Sequence, residues 1–206
     1  MSSSRVDYFY FINKKSQGLV DIHGNTIIPL TANQAILPPS DNMLRLAKVE
    51  KKQIAKAYYD LDAEVMVRIS SSEKGKFGAF SHNLAPVSLD DELFFIDKKG
   101  NKVIGGLSKA FLSNEGYRVV QKGSAFGAID STGAVVIPIE YTNSLTSVNN
   151  GRLGVQKNAS WFYVDMKGQI VSDKYDRIGN FHQGYASVCL NKLWGLLICR
   201  TGLSFL

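Results

Sequence analysis

The chain has 206 residues, 45% of them hydrophobic and 20% charged, a balance that excludes an intrinsically disordered protein. It has no apolar run of about eighteen residues, which excludes a transmembrane helix, and at this length about 70% of the unfolded surface can be buried without help from a metal or a disulfide. The net charge of +6 weakly favours acidic or polyanionic partners and does not bear on the fold.

In chain order, the first apolar run is Asp7-Tyr-Phe-Tyr-Phe-Ile12. It contains an acid and lacks both a basic leader and a small-residue cleavage site, so it reads as a strand and the cytoplasm is the expected compartment. Gly18-Leu-Val-Asp21-Ile-His-Gly24-Asn-Thr-Ile-Ile-Pro29 follows. A weaker copy is Tyr58-Tyr-Asp60-Leu-Asp-Ala63-Glu-Val-Met-Val67, with Ala63 where a Gly belongs. The pattern returns at Phe94-Phe-Ile-Asp97-Lys-Lys-Gly100, at Phe126-Gly-Ala-Ile-Asp130-Ser-Thr-Gly133-Ala-Val-Val-Ile-Pro138 and at Trp161-Phe-Tyr-Val-Asp165-Met-Lys-Gly168. A last copy, Lys192-Leu-Trp194-Gly195-Leu-Leu-Ile-Cys199-Arg-Thr-Gly202, has no Asp. The aspartates stand at 21, 60, 97, 130 and 165, a near-constant period that marks a repeat array. A second shared segment precedes the Asp, as in Gly116-Tyr-Arg-Val-Val120, Gly151-Arg-Leu-Gly-Val155 and Gly184-Tyr-Ala-Ser-Val188.

These segments are short, β-branched and aromatic, and bounded by Gly, Asn or Pro, which is the signature of strands. Asp-x-x-Gly is a turn: the carboxylate accepts backbone N–H groups two residues on, and the Gly supplies a positive φ. Each unit therefore reads as an antiparallel three-strand meander. Met43–Lys56, the best helical candidate, matches the first strand pair of a unit and reads as β with its tip at Glu50–Gln53. Residues 69–93 lack a clear phase, although Lys76-Phe-Gly-Ala-Phe80 echoes the motif.

The expected fold is all-β, one domain over residues 1–206. It has six tandem units at about 6–41, 42–75, 76–114, 115–149, 150–182 and 183–206. One unit cannot bury its own apolar face. The shared core should comprise two columns, Ile27, Met66, Val103, Val136 and Val171, and Val20, Tyr59, Ile96, Ile129 and Val164. Atypical end copies, as in capped stacks, favour an open, curved, solenoid-like array over a closed propeller or barrel-like ring. Ladder bonds between Asp7–Phe11 and Gly202–Leu206 would mark closure.

Catalytic chemistry is not expected. Paired catalytic carboxylates need one shared pocket, whereas the repeat places each Asp beside its own turn. His23, His82 and His182 have no zinc-ligand spacing with one another or with a cysteine. Cys189 and Cys199 read as free thiols of a reducing compartment, and a Cys189–His182 nucleophile pair would need tertiary approach. Gly105-Gly106 and Gly123-Ser124 are turns without a following helix to hold a phosphate. No cofactor or metal is expected.

With these pieces in place, the chain resembles the bacterial tryptophan–glycine (WG) repeat family. Trp194-Gly195, Phe126-Gly127, Asp130, Gly133, Val136-Ile137-Pro138, Tyr175-Asp176 and Gly184-Tyr-Ala-Ser-Val188 carry the match. The resemblance implies a tandem β-repeat protein, and occurrence of the family near toxin systems implies an immunity role among its possibilities.

The function read from these features is non-catalytic protein binding, as an inhibitor or an immunity protein that neutralises a toxin. The partner should be acidic or mixed in charge, because a +6 chain is poorly steered to a basic one. Tyr117, Arg118, Tyr141, Tyr175, Arg177 and Tyr185 are the expected anchors, being of the types enriched at binding hot spots; several of these tyrosines could instead pack between units. The alternative is binding of nucleic acid or an anionic surface through Arg45, Lys48, Lys51, Lys52 and Lys56, a run that otherwise reads as a solvated hairpin tip.

Overall fold

The computed structural model describes residues 8–50, 53–70 and 75–198. Among the described residues there is no helix; the strands form six antiparallel sheets of three or four strands, none closed into a barrel. The chain divides into two compact units, residues 1–102 and 103–206.

In the first unit, one sheet is β1 (Tyr8–Asn13), β2 (Ser16–Asp21) and β3 (Thr26–Thr31). The second is β4 (Gln34–Ser40), β5 (Met43–Glu50), β6 (Gln53–Asp60) and β7 (Val65–Ser70). The third contains β8 (Lys76–Phe77), β9 (Ala85–Leu89) and β10 (Glu92–Ile96). The division falls within β11 (Lys102–Leu107). The second unit holds β12 (Lys109–Ala110), β13 (Arg118–Lys122), β14 (Ala125–Ile129) and β15 (Val135–Tyr141). Next come β16 (Asn143–Ser144), β17 (Arg152–Lys157) and β18 (Ser160–Asp165), and then β19 (Arg177–Ile178), β20 (Tyr185–Leu190) and β21 (Leu193–Ile198). Within each sheet, strands consecutive in sequence are neighbours, as a meander requires. Met43–Lys56 is β, as its match to the repeat implied, and Glu50 pairs with Gln53 at the tip.

Turn chemistry sets this register. A two-residue turn with both central residues at positive φ opens five of the sheets: Asp41-Asn42, His82-Asn83, Glu115-Gly116, Asn150-Gly151 and Gln183-Gly184. That backbone is the type I′ turn, whose twist matches paired strands and which Asn, Asp and Gly adopt at least cost. The Asp-x-x-Gly turn follows the expected mechanism. Asp130 Oδ1 accepts the Thr132 and Ala134 N–H groups at 2.8 and 3.1 Å. Asp21, Asp97 and Asp165 do the same at their own turns. Gly133, at φ +88°, closes its turn by donating to the Asp130 carbonyl at 3.1 Å. In the second copy the positive φ moves from Ala63 to Glu64, at 55°, so the loop is one residue longer and needs no Gly.

The structure also phases the described part of residues 69–93, from Gly75 onward. Lys76-Phe77 is the short strand β8, and the Ser81↔Leu84 bridge encloses the type I′ turn that Asn149↔Arg152 and His182↔Tyr185 enclose elsewhere. Lys76-Phe-Gly-Ala-Phe80 therefore corresponds to Arg177-Ile-Gly-Asn-Phe181, not to the Phe-Gly segment it echoes.

The core lies between sheets, and a strand such as β6 or β18 buries alternate residues against the sheet before and the sheet after. On β18, Phe162 and Val164 pack on the sheet before while Tyr163 packs on the sheet after. On β6, Tyr59 and Tyr58 divide in the same way. The column before the Asp is core at Tyr59, Ile96, Ile129 and Val164, with Val20 half-buried. The other expected column is displaced by one residue. Ile28, Val67 and Ile137 are buried, whereas Met66 is exposed and Ile27, Val103, Val136 and Val171 are half-buried. Bulges are the reason in the first and fourth sheets: they place Ile28 opposite Leu19 and Ile137 opposite Ala128.

The strand pairing that would mark closure involves Asp7 and Gly202–Leu206, which lie outside the described residues, as does Cys199.

Candidate functional site

The structure separates the six expected anchors. Arg118 is buried, with Nη1 donating to the Phe111 carbonyl at 3.0 Å. Tyr141 is buried edge-on to Phe162, with ring centroids 6.1 Å apart, and Lys157 Nζ stands 5.9 Å from its ring. Tyr175 is buried, and its backbone pairs with Trp161 at 2.8 and 2.9 Å. Tyr117 is half-buried against the core between the fourth and fifth sheets. The expectation that Arg118, Tyr141 and Tyr175 are exposed is thus corrected. Tyr141 and Tyr175 end the third-strand segments opposite Phe126 and Trp161, where the neighbouring sheet covers them.

Arg177 and Tyr185 are exposed, and they share one sheet face. On β20, Tyr185, Ser187 and Cys189 alternate with Ala186, Val188 and Leu190. The second set faces the core shared with the fifth sheet through Ala186 and Val188. Register puts Arg177 opposite Cys189, Cys189 opposite Trp194, Ser187 opposite Leu196 and Tyr185 opposite Ile198. The outer face therefore carries Arg177, Tyr185, Trp194 and Leu196 around a buried Cys189. Trp194, Leu196 and Tyr185 are 61%, 62% and 47% exposed.

Equivalent positions elsewhere explain this face. Leu196 occupies the place of Tyr163 on β18 and Tyr58 on β6. Both tyrosines are buried against the next sheet: Tyr163 donates to the Gly179 carbonyl at 2.5 Å, and Tyr58 to the Gly78 carbonyl at 2.7 Å. Phe181 and Phe80 cover their rings at centroid distances of 4.8 and 4.9 Å. Burial pushes both hydroxyls well above the ordinary tyrosine range. The face that these inner sheets bury is open on the last described sheet. Sequence reasoning used Trp194 only as a family marker and missed Leu196. The available signal was Leu193-Trp-Gly-Leu-Leu-Ile198, apolar on both faces.

The basic run does not form one patch. Arg45 and Lys56 lie on the face of the second sheet directed at the third. Arg45 Nη1 donates to the Phe77 carbonyl at 3.2 Å; Lys56 bonds the Gly75 carbonyl and stands 5.3 Å from the Phe77 ring centre. Lys48 is on the opposite face, and Lys51 and Lys52 lie outside the described residues. The repeat aspartates and histidines do not converge either. His23 sits in the Asp21 turn, His82 in a type I′ turn and His182 at the edge of another. Among the described residues, no helix is long and apolar enough to cross a membrane.

These features define an all-β tandem-repeat protein whose sheets pack face to face within each unit and whose last described sheet presents an apolar face. Two successive stretches, residues 126–161 and 161–194, match the family model described as "WG containing repeat", so the resemblance read from the sequence holds over these copies. No curated protein matches. Among solved structures, Hsv2p of Kluyveromyces lactis is similar at 14% identity and a TM-score of 0.39, over 95% of this chain and 75% of that one. TolB from Acinetobacter baumannii is similar at 12% identity and a TM-score of 0.32, over 89% of this chain and 57% of that one. The tricorn protease is similar at 12% identity and a TM-score of 0.35, over 93% of this chain and 24% of that one.

Proposed function

We propose that this chain is a non-catalytic protein-binding repeat protein that engages its partner through the open face of β19–β21. The observation that carries this reading is the exposure of Trp194, Leu196 and Tyr185 beside Arg177 on one regular sheet face. Trp, Tyr and Arg are the side chains that dominate binding energy at interfaces, and contiguous exposed apolar surface marks interaction sites. The repeat carboxylates are engaged by their own turns, which leaves them a structural role. In the biological form of this function the protein is a cytoplasmic inhibitor, or an immunity protein that neutralises a toxin by direct binding. Its partner is acidic or mixed in charge, in keeping with the net charge of +6.

The test uses the tagged chain and a Trp194→Ser/Leu196→Ser variant as parallel baits for cross-linking and mass spectrometry. A captured protein is then purified and titrated against both. The variant should fold normally and bind at least about tenfold more weakly, as loss of hot-spot contacts implies. Equal capture and equal affinity would overturn the assignment of this face.

A further inference from the structure

The sheet-to-sheet contact inside each compact unit is directional. One face of a sheet meets the opposite kind of face on the next: Leu19 and Ile28 of the first sheet meet Leu44, Leu46 and Tyr59 of the second. In the second unit, Tyr163 of the fifth sheet meets Phe181, Ala186 and Val188 of the sixth. Such a contact has a forward side and a back side. The forward side of the last described sheet is the open face with Trp194 and Leu196.

The first sheet shows the complementary feature. Its forward residue Leu19 is buried, but its back side carries Phe9, Phe11 and Val20, aligned by the pairings Phe9↔Val20 and Phe11↔Gly18. Phe9 is 60% exposed, and Val20 is half-buried where Tyr59, Ile96, Ile129 and Val164 of the equivalent column are buried. The Phe11 ring lies over Gly18, where an added Cβ would come within 2.2 Å of it, so this side is flat and apolar. Among the described residues, the back side of the first sheet and the forward side of the last are thus both exposed.

We infer that the forward face of β19–β21 binds the back face of β1–β3 in a second copy of this chain, continuing between molecules the sheet-to-sheet contact found within each unit. A contact between two different surfaces is heterologous, so it generates a ring or a filament rather than an isologous dimer. The inference rests on the docking role proposed for the β19–β21 face and adds a regulatory consequence: self-association and partner binding exclude one another, so dilution frees the face.

Sedimentation velocity of the full chain over a concentration series tests this, with Leu196→Lys and Phe9→Lys. Both side chains are mostly exposed, so each variant should fold normally by circular dichroism and melting. The wild type should associate progressively with concentration. Each variant alone should associate more than about tenfold more weakly. An equimolar mixture of the two should form a heterodimer and stop there, because one intact forward face and one intact back face remain. A wild type that stays monomeric throughout, association unaffected by either change, or no complementation in the mixture would each overturn the inference. Loss of a captured partner's binding on Trp194→Ser/Leu196→Ser, with a monomeric wild type, would leave the docking role standing and remove self-association alone.

Discussion

At the residue scale, the repeat is held by a few positions whose backbone or close contacts allow little substitution. Gly133 combines φ +88° with a close approach: a Cβ there would come within 2.6 Å of Val103 Cγ2. Gly133→Val should therefore cost about 3 kcal/mol or more, from left-handed strain and overpacking together. Asp130→Ala removes an acceptor from the Thr132 and Ala134 N–H groups and from the Thr132 hydroxyl, but the turn is exposed and water replaces part of the loss. It should cost about 1–2 kcal/mol. Urea denaturation of both variants checks the order; an Asp130→Ala protein that kept full stability but lost partner binding would show that the carboxylate serves binding instead. Gly127 explains the glycine that follows the aromatic in the family motif. An added Cβ would meet the Ile137 and Pro138 carbonyl oxygens at 2.6 and 2.7 Å, because β15 bulges toward β14 there.

At the scale of the element, β6 and β18 each couple two neighbouring sheets through residues of opposite orientation. Tyr163→Phe keeps the ring on Phe181 but leaves the Gly179 carbonyl without its donor. We expect a loss of about 1 kcal/mol, the net worth of a hydrogen bond to a half-buried carbonyl. Tyr58→Phe should behave alike through Gly78, and thermal unfolding of the two variants measures both. Carboxylates also join adjacent type I′ turns. Glu115 accepts the Asn150 and Gly151 N–H groups, both at 2.8 Å, and Asp41 accepts that of Asn83 at 2.8 Å. This second role of the turn residues was not legible in the sequence, because it links residues of different sheets that meet only when the sheets pack.

At the scale of the whole molecule, the repetition of one turn makes acid stability a collective property. Asp21 is held below the ordinary carboxylate range by its hydrogen bonds, chiefly from the Asn25 side chain. At Asp97 and Asp130 partial burial works in the opposite direction but is outweighed by hydrogen bonds from Asn101 and Thr132 and from turn N–H groups. A carboxyl group whose folded pKa is lowered contributes stability that is present above its unfolded value of about 3.9 and is lost as the pH falls through the folded value. Unfolding midpoints in urea should hence fall as pH drops below about 4, and an Asp21→Asn/Asp97→Asn/Asp130→Asn variant should show a flatter acid limb. An unchanged acid limb in that variant would remove these turns as its source. The repeat period, the all-β class, the strand boundaries near Gly and Asn and the mechanism of the Asp turn were legible in the sequence, because each depends on residues a few positions apart. The tertiary structure alone decided which face each residue occupies. An extra loop residue after Asp60 and a bulge in β15 shift the side chains that follow, so one buried column moved from Met66 to Val67 and from Val136 to Ile137. It also decided the candidate site. Arg118, Tyr141 and Tyr175 share their residue types with Arg177 and Tyr185, but neighbouring structure covers the first three and leaves the last two exposed beside Trp194. Exposure depends on which sheet packs next, and one strand's local sequence does not carry that information.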